Sequence, residues 1–329
     1  MATAEQLKAL LESYVEGDDD RFFAVMIQLA AHAARQGHGK LAQDLRSFVD
    51  KAKLDAGEIV GRGERNPVPV AQPRGELAAL LAASYPKARL GDLVLASEIR
   101  THLERIVLEQ RQRVKLAARA LRPRRKILLV GPPGTGKTYS ARALAGELHL
   151  PLFAVLLDGV ITKYMGETAA KLRLVFEAAA RNRGVYLFDE FDALGGERGN
   201  PNDVGEARRA LNSFLQFLEQ DDSESILLAA TNHVRLLDNA LFRRFDDIIE
   251  FALPNIDLAI AVMKAKLAAI GVTRVDWRSM GQAAKGLSYA EIAKACDDAA
   301  KDAVLHDRTE VAAKMLLTAL ARRHDSQQK

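Results

Sequence analysis

The chain has 329 residues and a formal net charge of +4, with 48% hydrophobic and 27% charged residues. These proportions are typical of a globular protein and argue against a disordered chain. No apolar run approaches the roughly 18 residues that cross a membrane, and the N-terminus lacks the basic and apolar regions of a secretory signal, so neither is expected. The single cysteine, Cys296, excludes an internal disulfide framework and favours a reducing compartment such as the cytoplasm.

The N-terminal part of the chain is predicted to be separate from the rest. Residues 1–56 contain three stretches with apolar residues at helical spacing, which predict a small helical bundle. This bundle fits either a packing and oligomerisation appendage or a module that docks a partner. Residues 57–75 combine three prolines with four glycines and are predicted to be an interdomain linker.

Between residues 76 and 253, short apolar runs alternate with helical patterns. Five runs are predicted to be buried strands: Lys126–Val130, Leu152–Leu157, Val185–Phe188, Ile226–Ala230 and Ile248–Leu253. The alternation predicts an α/β domain with a five-stranded, mostly parallel sheet.

Two other stretches are predicted to be helical. The first runs from Leu77 to about Ala120, and the second is a small helical domain over residues 254–322, followed by a short tail at 323–329. Within the second, Ser288 and Glu291 form a capping-box pattern that predicts a helix start.

The segment GPPGTGKT follows the first predicted strand of the parallel sheet and precedes a helical pattern, and it fits the phosphate-loop motif G-x-x-x-x-G-K-[ST]. Its glycines allow backbone N–H groups to surround phosphates, and the following helix start adds partial positive charge. Lys137 is expected to bridge the β- and γ-phosphates of ATP, and Thr138 to ligate Mg²⁺. The predicted nucleotide-binding residues are Gly131, Pro132, Pro133, Gly134, Thr135, Gly136, Lys137, Thr138 and Tyr139.

Two adjacent acids, Asp189 and Glu190, follow the strand VYLF. They are predicted to lie at the carboxyl edge of the sheet, where doubly wound folds bind ligands. Asp189 is expected to hold the Mg²⁺ shell, and Glu190 to orient and deprotonate the attacking water. Together with the phosphate loop, the pair predicts a P-loop NTPase.

These motifs together resemble the AAA family of ATPases, and further segments agree with that resemblance. ILLAATN ends in Asn232, which matches the polar sensor that positions water near the γ-phosphate in this family. LLDNALFRRFD resembles the family's second region of homology, where arginine fingers reach the ATP of a neighbouring subunit. Arg244 matches the second finger best, and Arg243 is the other candidate, although the family usually separates its two arginines by two residues.

The resemblance also implies a substrate channel and an adenine site. TKYMGET resembles the first pore loop of katanin- and spastin-like members, which implies that Tyr164 and Met165 grip a threaded polypeptide. DLVL resembles the adenine-contacting stretch, which implies Asp92 and Leu93. GLSYAEI resembles the lid segment near adenine and ribose, which implies Ala290, although Tyr289 stands where glycine is usual.

The resemblance implies an ATPase that hydrolyses Mg·ATP at the subunit interfaces of a homo-oligomer, a hexamer, and remodels a protein partner through its central pore. An alternative is a nucleotide-dependent switch that controls a partner without threading; similarity to small bacterial AAA proteins suggests a subtilisin-like serine protease as that partner. A third candidate is a nucleic-acid remodeller, because eight basic residues crowd positions 111–126. The absence of interleaved aromatic residues there favours a solvated face instead.

Overall fold

The structure is a computed structural model that describes residues 72–161, 167–194, 201–233, 239–273 and 275–327, except for the side chains of residues 194, 201–208, 239–240 and 327. The strands are β1 (Leu81–Ser84), β2 (Lys126–Val130), β3 (Leu152–Val155), β4 (Val185–Phe188), β5 (Ile226–Thr231), β6 (Asp247–Glu250), β7 (Val272–Thr273) and β8 (Val311–Ala312). The helices that precede β6 are α1 (Ser97–Arg111), α2 (Arg113–Ala117), α3 (Lys137–Leu148), α4 (Leu157–Val160), α5 (Glu167–Arg181), α6 (Pro201–Gln220) and α7 (Asn239–Phe242). Those after β6 are α8 (Ile256–Leu267), α9 (Trp277–Ala283), α10 (Tyr289–Leu305) and α11 (Ala313–Gln327).

Six strands form the main sheet, in the order β1-β3-β4-β5-β2-β6. All neighbours pair in parallel except β1, which runs antiparallel to β3 at one edge. The prediction of a mostly parallel sheet is confirmed, and β1 is a sixth strand that the sequence analysis missed. The helical prediction for Leu81–Ser84 is wrong because the backbone there pairs with the open edge of β3, with Leu81 opposite Val155. Tertiary pairing of this kind overrides the helix propensity of leucine and alanine.

Alternate side chains of the strands enter two different apolar cores. In β2, Leu128 and Val130 belong to one core, whereas Ile127 and Leu129 belong to the other. The two-residue period of a strand sends successive side chains to opposite faces of the sheet. Because helices cover both faces, nearly every position of the central strands is apolar, which made these strands recognisable as continuous apolar runs.

An aromatic cluster fixes the chain at the end of β4. The ring of Phe214, on α6, lies 4.9 Å from the ring of Phe188 and 4.6 Å from that of Phe191, measured between centroids. Phe176 of α5 completes the cluster, at 5.7 Å from Phe214. Phe188 and Phe191 immediately flank the acids at positions 189 and 190, so both sides of this acidic pair are anchored in the core.

Helices α8 to α11 surround a third core of their own. The predicted capping box is confirmed, since Ser288 Oγ accepts the N–H of Glu291 and the Glu291 carboxylate accepts the N–H of Ser288. The domain also contains the short parallel pair β7–β8, which the all-helical prediction missed, and α11 continues to Gln327, into the predicted tail. Cys296 is fully buried in this core, and burial raises the pKa of its thiol to about 12. Within the described ranges, none of the helices is both long and apolar enough to cross a bilayer.

A buried ion pair ties the start of β2 to the loop before β5. The Arg125 guanidinium bonds to both the carboxylate and the backbone carbonyl of Asp221, and both side chains are almost completely buried. The adjacent Asp222 is exposed; it pairs with the exposed Arg122 at 2.6 Å and lies 3.8 Å from the Arg125 guanidinium. A buried charge needs a partner because water does not solvate it, whereas an exposed pair contributes little.

We expect Asp221→Ala to lower the free energy of unfolding by about 3 kcal/mol, because it leaves the buried Arg125 charge without its carboxylate. The matched variant Asp222→Ala, one residue away, should cost much less stability, because the Asp222 carboxylate is exposed and water screens its interactions with Arg122 and Arg125. Urea denaturation followed by circular dichroism measures both. Equal losses in the two variants would contradict the assigned difference in burial.

Candidate nucleotide site

The phosphate loop connects β2 to α3 and approaches other backbone closely. Gly131 has a φ of 147°, and a Cβ atom added there would lie 2.1 Å from the carbonyl oxygen of Phe251. Gly134 has a φ of 73° and faces Ser288 of the helical domain, where an added Cβ would lie 2.5 Å from the serine Oγ. Both positions therefore require glycine for conformation and for space. Within the loop, the hydroxyl of Thr135 donates to the carbonyl of Pro132 at 2.8 Å. The side chain of Pro133 is exposed.

Lys137 begins α3, and its ammonium group is held by three oxygen acceptors. Its Nζ donates to the carbonyls of Gly131 (2.7 Å) and Pro132 (2.8 Å) and to Oδ1 of Asn232 (2.7 Å). Burial lowers the pKa of Lys137, an effect that the nearby carboxylates of Asp189 and Asp192 oppose. The structure thus brings together two predicted site residues, the lysine of the phosphate loop and the asparagine that follows β5.

The side chain of Thr138, in the first turn of α3, contacts that of Asp189, which directly follows β4. The Thr138 hydroxyl lies 2.6 Å from Oδ2 of Asp189. A hydroxyl and a carboxylate are oxygen ligands of the kind that Mg²⁺ prefers, and Mg²⁺ usually takes only one or two protein ligands together with phosphate oxygens and waters. No group of three or more acidic, histidine or cysteine side chains among the described residues could hold a metal by itself. The donor set therefore fits Mg²⁺ bound jointly by protein and nucleotide.

Glu190 has an unusual backbone conformation. Its φ is 51°, in the left-handed region, and its side chain is exposed. Its N–H donates to Oδ1 of Asp189 at 3.0 Å, and its carbonyl accepts the N–H of Ala193 at 2.8 Å. A non-glycine residue in this region costs of order 1 kcal/mol and persists only where the surrounding structure imposes it. Here the anchored phenylalanines on either side impose the turn that separates Glu190 from Asp189.

Asp192 is a site residue that the sequence analysis missed. Its Oδ1 accepts the hydroxyl of the buried Thr231 at 2.8 Å and the backbone N–H of Asn232 at 3.4 Å. Its other oxygen lies 4.0 Å from Nε2 of His233. Asp192 thus connects the chain after β4 to the tip of β5 and positions Asn232. The sequence pattern D-E-F-D at positions 189–192 could have identified it, because its third acid lies only three residues after Asp189.

The segments expected near adenine contact both domains. The backbone N–H of Ala290 donates to the carbonyl of Gly134 at 3.1 Å, which joins the start of α10 directly to the phosphate loop. Leu93 is buried in a core of the sheet, whereas Val94 packs against the core of the helical domain. The Asp92 carboxylate accepts the N–H of Arg89 at 2.8 Å.

Two residues near this region differ in exposure. Tyr139 is about half exposed. Tyr289, which stands where glycine is usual in the lid segment, is partly buried against the core of the helical domain.

The arginine candidates lie in the turn between α7 and β6. Arg243 is exposed, and Arg244 forms an ion pair with Glu219 of α6. Neither forms a hydrogen bond or ion pair with Lys137 or Asp189 in the part of the chain that is described. Tyr164 and Met165, the predicted pore residues, lie outside the described residues, as does the N-terminal bundle.

Most of the basic cluster at positions 111–126 is neutralised by acids. The pairs are Arg111 with Glu147, Arg113 with Glu224, Arg122 with Asp222, Arg124 with Glu109, and Arg125 with Asp221. A surface that attracts phosphates needs unpaired positive charge. The pairing therefore favours the solvated-face interpretation over a nucleic-acid surface.

Comparison with known proteins agrees with this geometry. Residues 127–253 match the family described as "ATPase family associated with various cellular activities (AAA)". This segment is therefore similar to an AAA ATPase domain. Among solved structures, the crystal structure of the FIGL-1 AAA domain superposes with a TM-score of 0.60 at 24% identity, covering 73% of this chain and 85% of that one, which shows a shared fold.

Two curated relatives are closer in sequence. The uncharacterized AAA family ATPase y4kL of Sinorhizobium fredii is 41% identical over 56% of each chain. The ATP-dependent zinc metalloprotease FtsH of Methylococcus capsulatus is 38% identical over 56% of this chain and 30% of its own length. The similarity thus spans about half of the first relative and less of the second. The names of these relatives support the predicted ATP hydrolysis, and neither name supports a subtilisin-like partner.

We expect Asp192→Ala to lower kcat for ATP hydrolysis roughly tenfold, because it removes the acceptor that positions Asn232 and leaves the buried Thr231 hydroxyl unsatisfied. ATP affinity should change less than twofold, since Lys137 and Thr138 are retained. Asp192→Asn keeps an acceptor oxygen and should recover most of the rate. Steady-state phosphate release and nucleotide binding measure these effects, and an undiminished kcat in the alanine variant would contradict the positioning role.

Proposed function

We propose that this AAA protein hydrolyses Mg·ATP at the interfaces of a homo-oligomeric ring and uses the cycle to remodel a protein partner. The catalytic part rests on one observation at the carboxyl ends of β2, β4 and β5. There Lys137 is hydrogen-bonded to Asn232, and Thr138 is hydrogen-bonded to Asp189. Ligands bind in open α/β sheets at this edge. No other arrangement of charged groups among the described residues is equally suited to a nucleoside triphosphate.

Different residues take different parts of the chemistry. The backbone N–H groups of the phosphate loop and the ammonium group of Lys137 bind the phosphates, which replace the carbonyl and amide oxygens that Lys137 now contacts. Bound Mg²⁺, held by Thr138 and Asp189, supplies charge neutralisation at the β- and γ-phosphates. Glu190 accepts the proton of the attacking water, which Asn232 orients.

The charge that develops on the γ-phosphate needs a further cation. Arg243 and Arg244 lie in a turn outside their own phosphate site, so we assign them to the site of a neighbouring subunit. In related phosphoryl transfers such a finger contributes roughly 10³–10⁵ in rate. This requirement is the reason for proposing an oligomer, and a hexamer is the assembly that the resemblance implies. The reducing environment suggested by the single cysteine leads us to place the protein in the cytoplasm.

We expect Glu190→Gln to lower kcat at least 100-fold while ATP affinity changes less than twofold, because the amide cannot accept the water proton. Phosphate release and fluorescent-nucleotide competition measure the two quantities. Glu177→Gln, which alters an exposed acid on α5, is the matched control and should behave as wild type.

A mixing experiment tests whether the site is shared between subunits. Glu190→Gln and Arg244→Ala proteins should each be nearly inactive, whereas a mixture should regain activity, because some interfaces then combine an intact Glu190 with an intact Arg244. If Arg244→Ala alone keeps full activity, or if mixing restores nothing, the shared site is refuted.

The remodelling part depends on Tyr164. We expect casein, an unfolded model substrate, to stimulate ATP hydrolysis by the wild-type protein and by Tyr164→Phe but not by Tyr164→Ala, because an aromatic ring grips a polypeptide without sequence preference. Basal hydrolysis should be little changed in both variants, because Tyr164 is not one of the residues proposed to bind or hydrolyse ATP. Equal stimulation of Tyr164→Ala would exclude threading by this residue and favour the nucleotide-dependent switch.

A further inference from the structure

The turn that carries Arg244 is fixed on both sides. Leu241 and Phe245 are buried in the core that also holds the end of β4. Asp246 accepts the backbone N–H groups of Arg125 and Lys126 at 2.9 Å each, which attaches the turn to the start of β2. The backbone of Arg244 therefore has little freedom, and the position of its guanidinium group depends on side-chain contacts.

One such contact lies within the same subunit. A single guanidinium nitrogen, Nη1 of Arg244, bonds to Oε2 of Glu219 in the last turn of α6. The Glu219 side chain is 66% exposed and that of Arg244 is 32% exposed, so the pair lies at the surface. The carboxylate therefore offsets part of the charge that Arg244 would offer to a phosphate.

The neighbouring arginine differs in this respect. Arg243 is exposed and forms no ion pair with another described residue. The two adjacent arginines thus differ within the described part of the chain: Arg243 has no acidic partner there, whereas one nitrogen of the Arg244 guanidinium is already bonded to Glu219.

We propose that Glu219 competes with the γ-phosphate of the neighbouring subunit's ATP for the guanidinium of Arg244. Glu219 is thereby a positioning residue that weakens ATP binding across the interface and delays the engagement of Arg244 until the phosphate displaces it. This inference rests on the proposed role of Arg244 as a finger that acts in trans.

The size of the effect is limited by the exposure of the pair. Exposed ion pairs contribute at most about 1 kcal/mol, which corresponds to about fivefold in an equilibrium constant. A competition of this size adjusts the affinity for ATP without preventing binding. The competition involves only the γ-phosphate, which ADP lacks, so the affinity for ADP should not depend on Glu219.

The test uses full-length protein that carries Glu190→Gln, so that bound ATP is not turned over. Competition against a fluorescent ADP analogue gives the Kd for ATP and for ADP, at a protein concentration where sedimentation shows the same assembly for every variant. We expect Glu219→Gln to tighten ATP binding two- to fivefold and to leave ADP binding unchanged, because glutamine keeps the shape of the side chain and removes its charge. The control variant is Glu224→Gln, which alters an exposed acid paired with Arg113. It should change neither Kd.

Three results would overturn the competition. They are an unchanged or weaker ATP affinity in Glu219→Gln, an equal gain for ADP, or the same gain when Arg244→Ala is also present. The last comparison separates the two proposals. If Arg244→Ala weakens ATP binding but Glu219→Gln has no effect, only the competition fails; if Arg244→Ala has no effect on binding or hydrolysis, the trans finger fails and the competition with it.

Discussion

Parallel pairing of β4, β5 and β2 is the constraint on which the site depends. In register, Val130 pairs with Thr231, so β2 and β5 end at the same level, and Phe188 pairs with Ala229, so β4 ends two residues earlier. The residues just after each strand are therefore brought to one edge of the sheet: two acids after β4, an asparagine after β5 and the phosphate loop after β2. A slip of two residues in either pairing would move a functional group by about 7 Å, well beyond hydrogen-bond distance.

The cores support this constraint on both sides of the sheet. Phe188 and Phe191 hold the acidic pair between them, and Asp192 then bonds to Thr231 of the next strand. The strained conformation of Glu190 is the local cost of this arrangement. Rigid packing and strain coexist because the anchors lie within two residues of the strained position, which leaves the chain no relaxed alternative.

The chemistry-bearing motifs could be predicted from the sequence because each is local. The phosphate loop needs glycines, lysine and threonine within eight consecutive positions, and the acidic pair directly follows an apolar run. Asp192 and Glu219 act through contacts that span 39 and 25 residues, and only the paired strands and packed helices bring their partners close. Asp221 and Asp222 show the same limit, since two identical neighbours differ completely in burial. β1 was missed because its strand conformation comes from the edge of β3 and not from its own side chains.

The neighbouring side chains of Leu93 and Val94 belong to different cores, one under the sheet and the other inside the helical domain. The chain crosses from the sheet domain to the helical domain between Phe251, in a core of the sheet, and Ala259 of α8, in the helical core. A rotation of one domain against the other therefore involves this short segment, the contact of Val94 and the bond between Ala290 and Gly134. These short connections act as a stiff pivot, because they allow the two domains little freedom to move apart. Any rotation about this connection displaces the distant end of the helical domain more than the residues beside the phosphate loop, in proportion to their distance from the pivot.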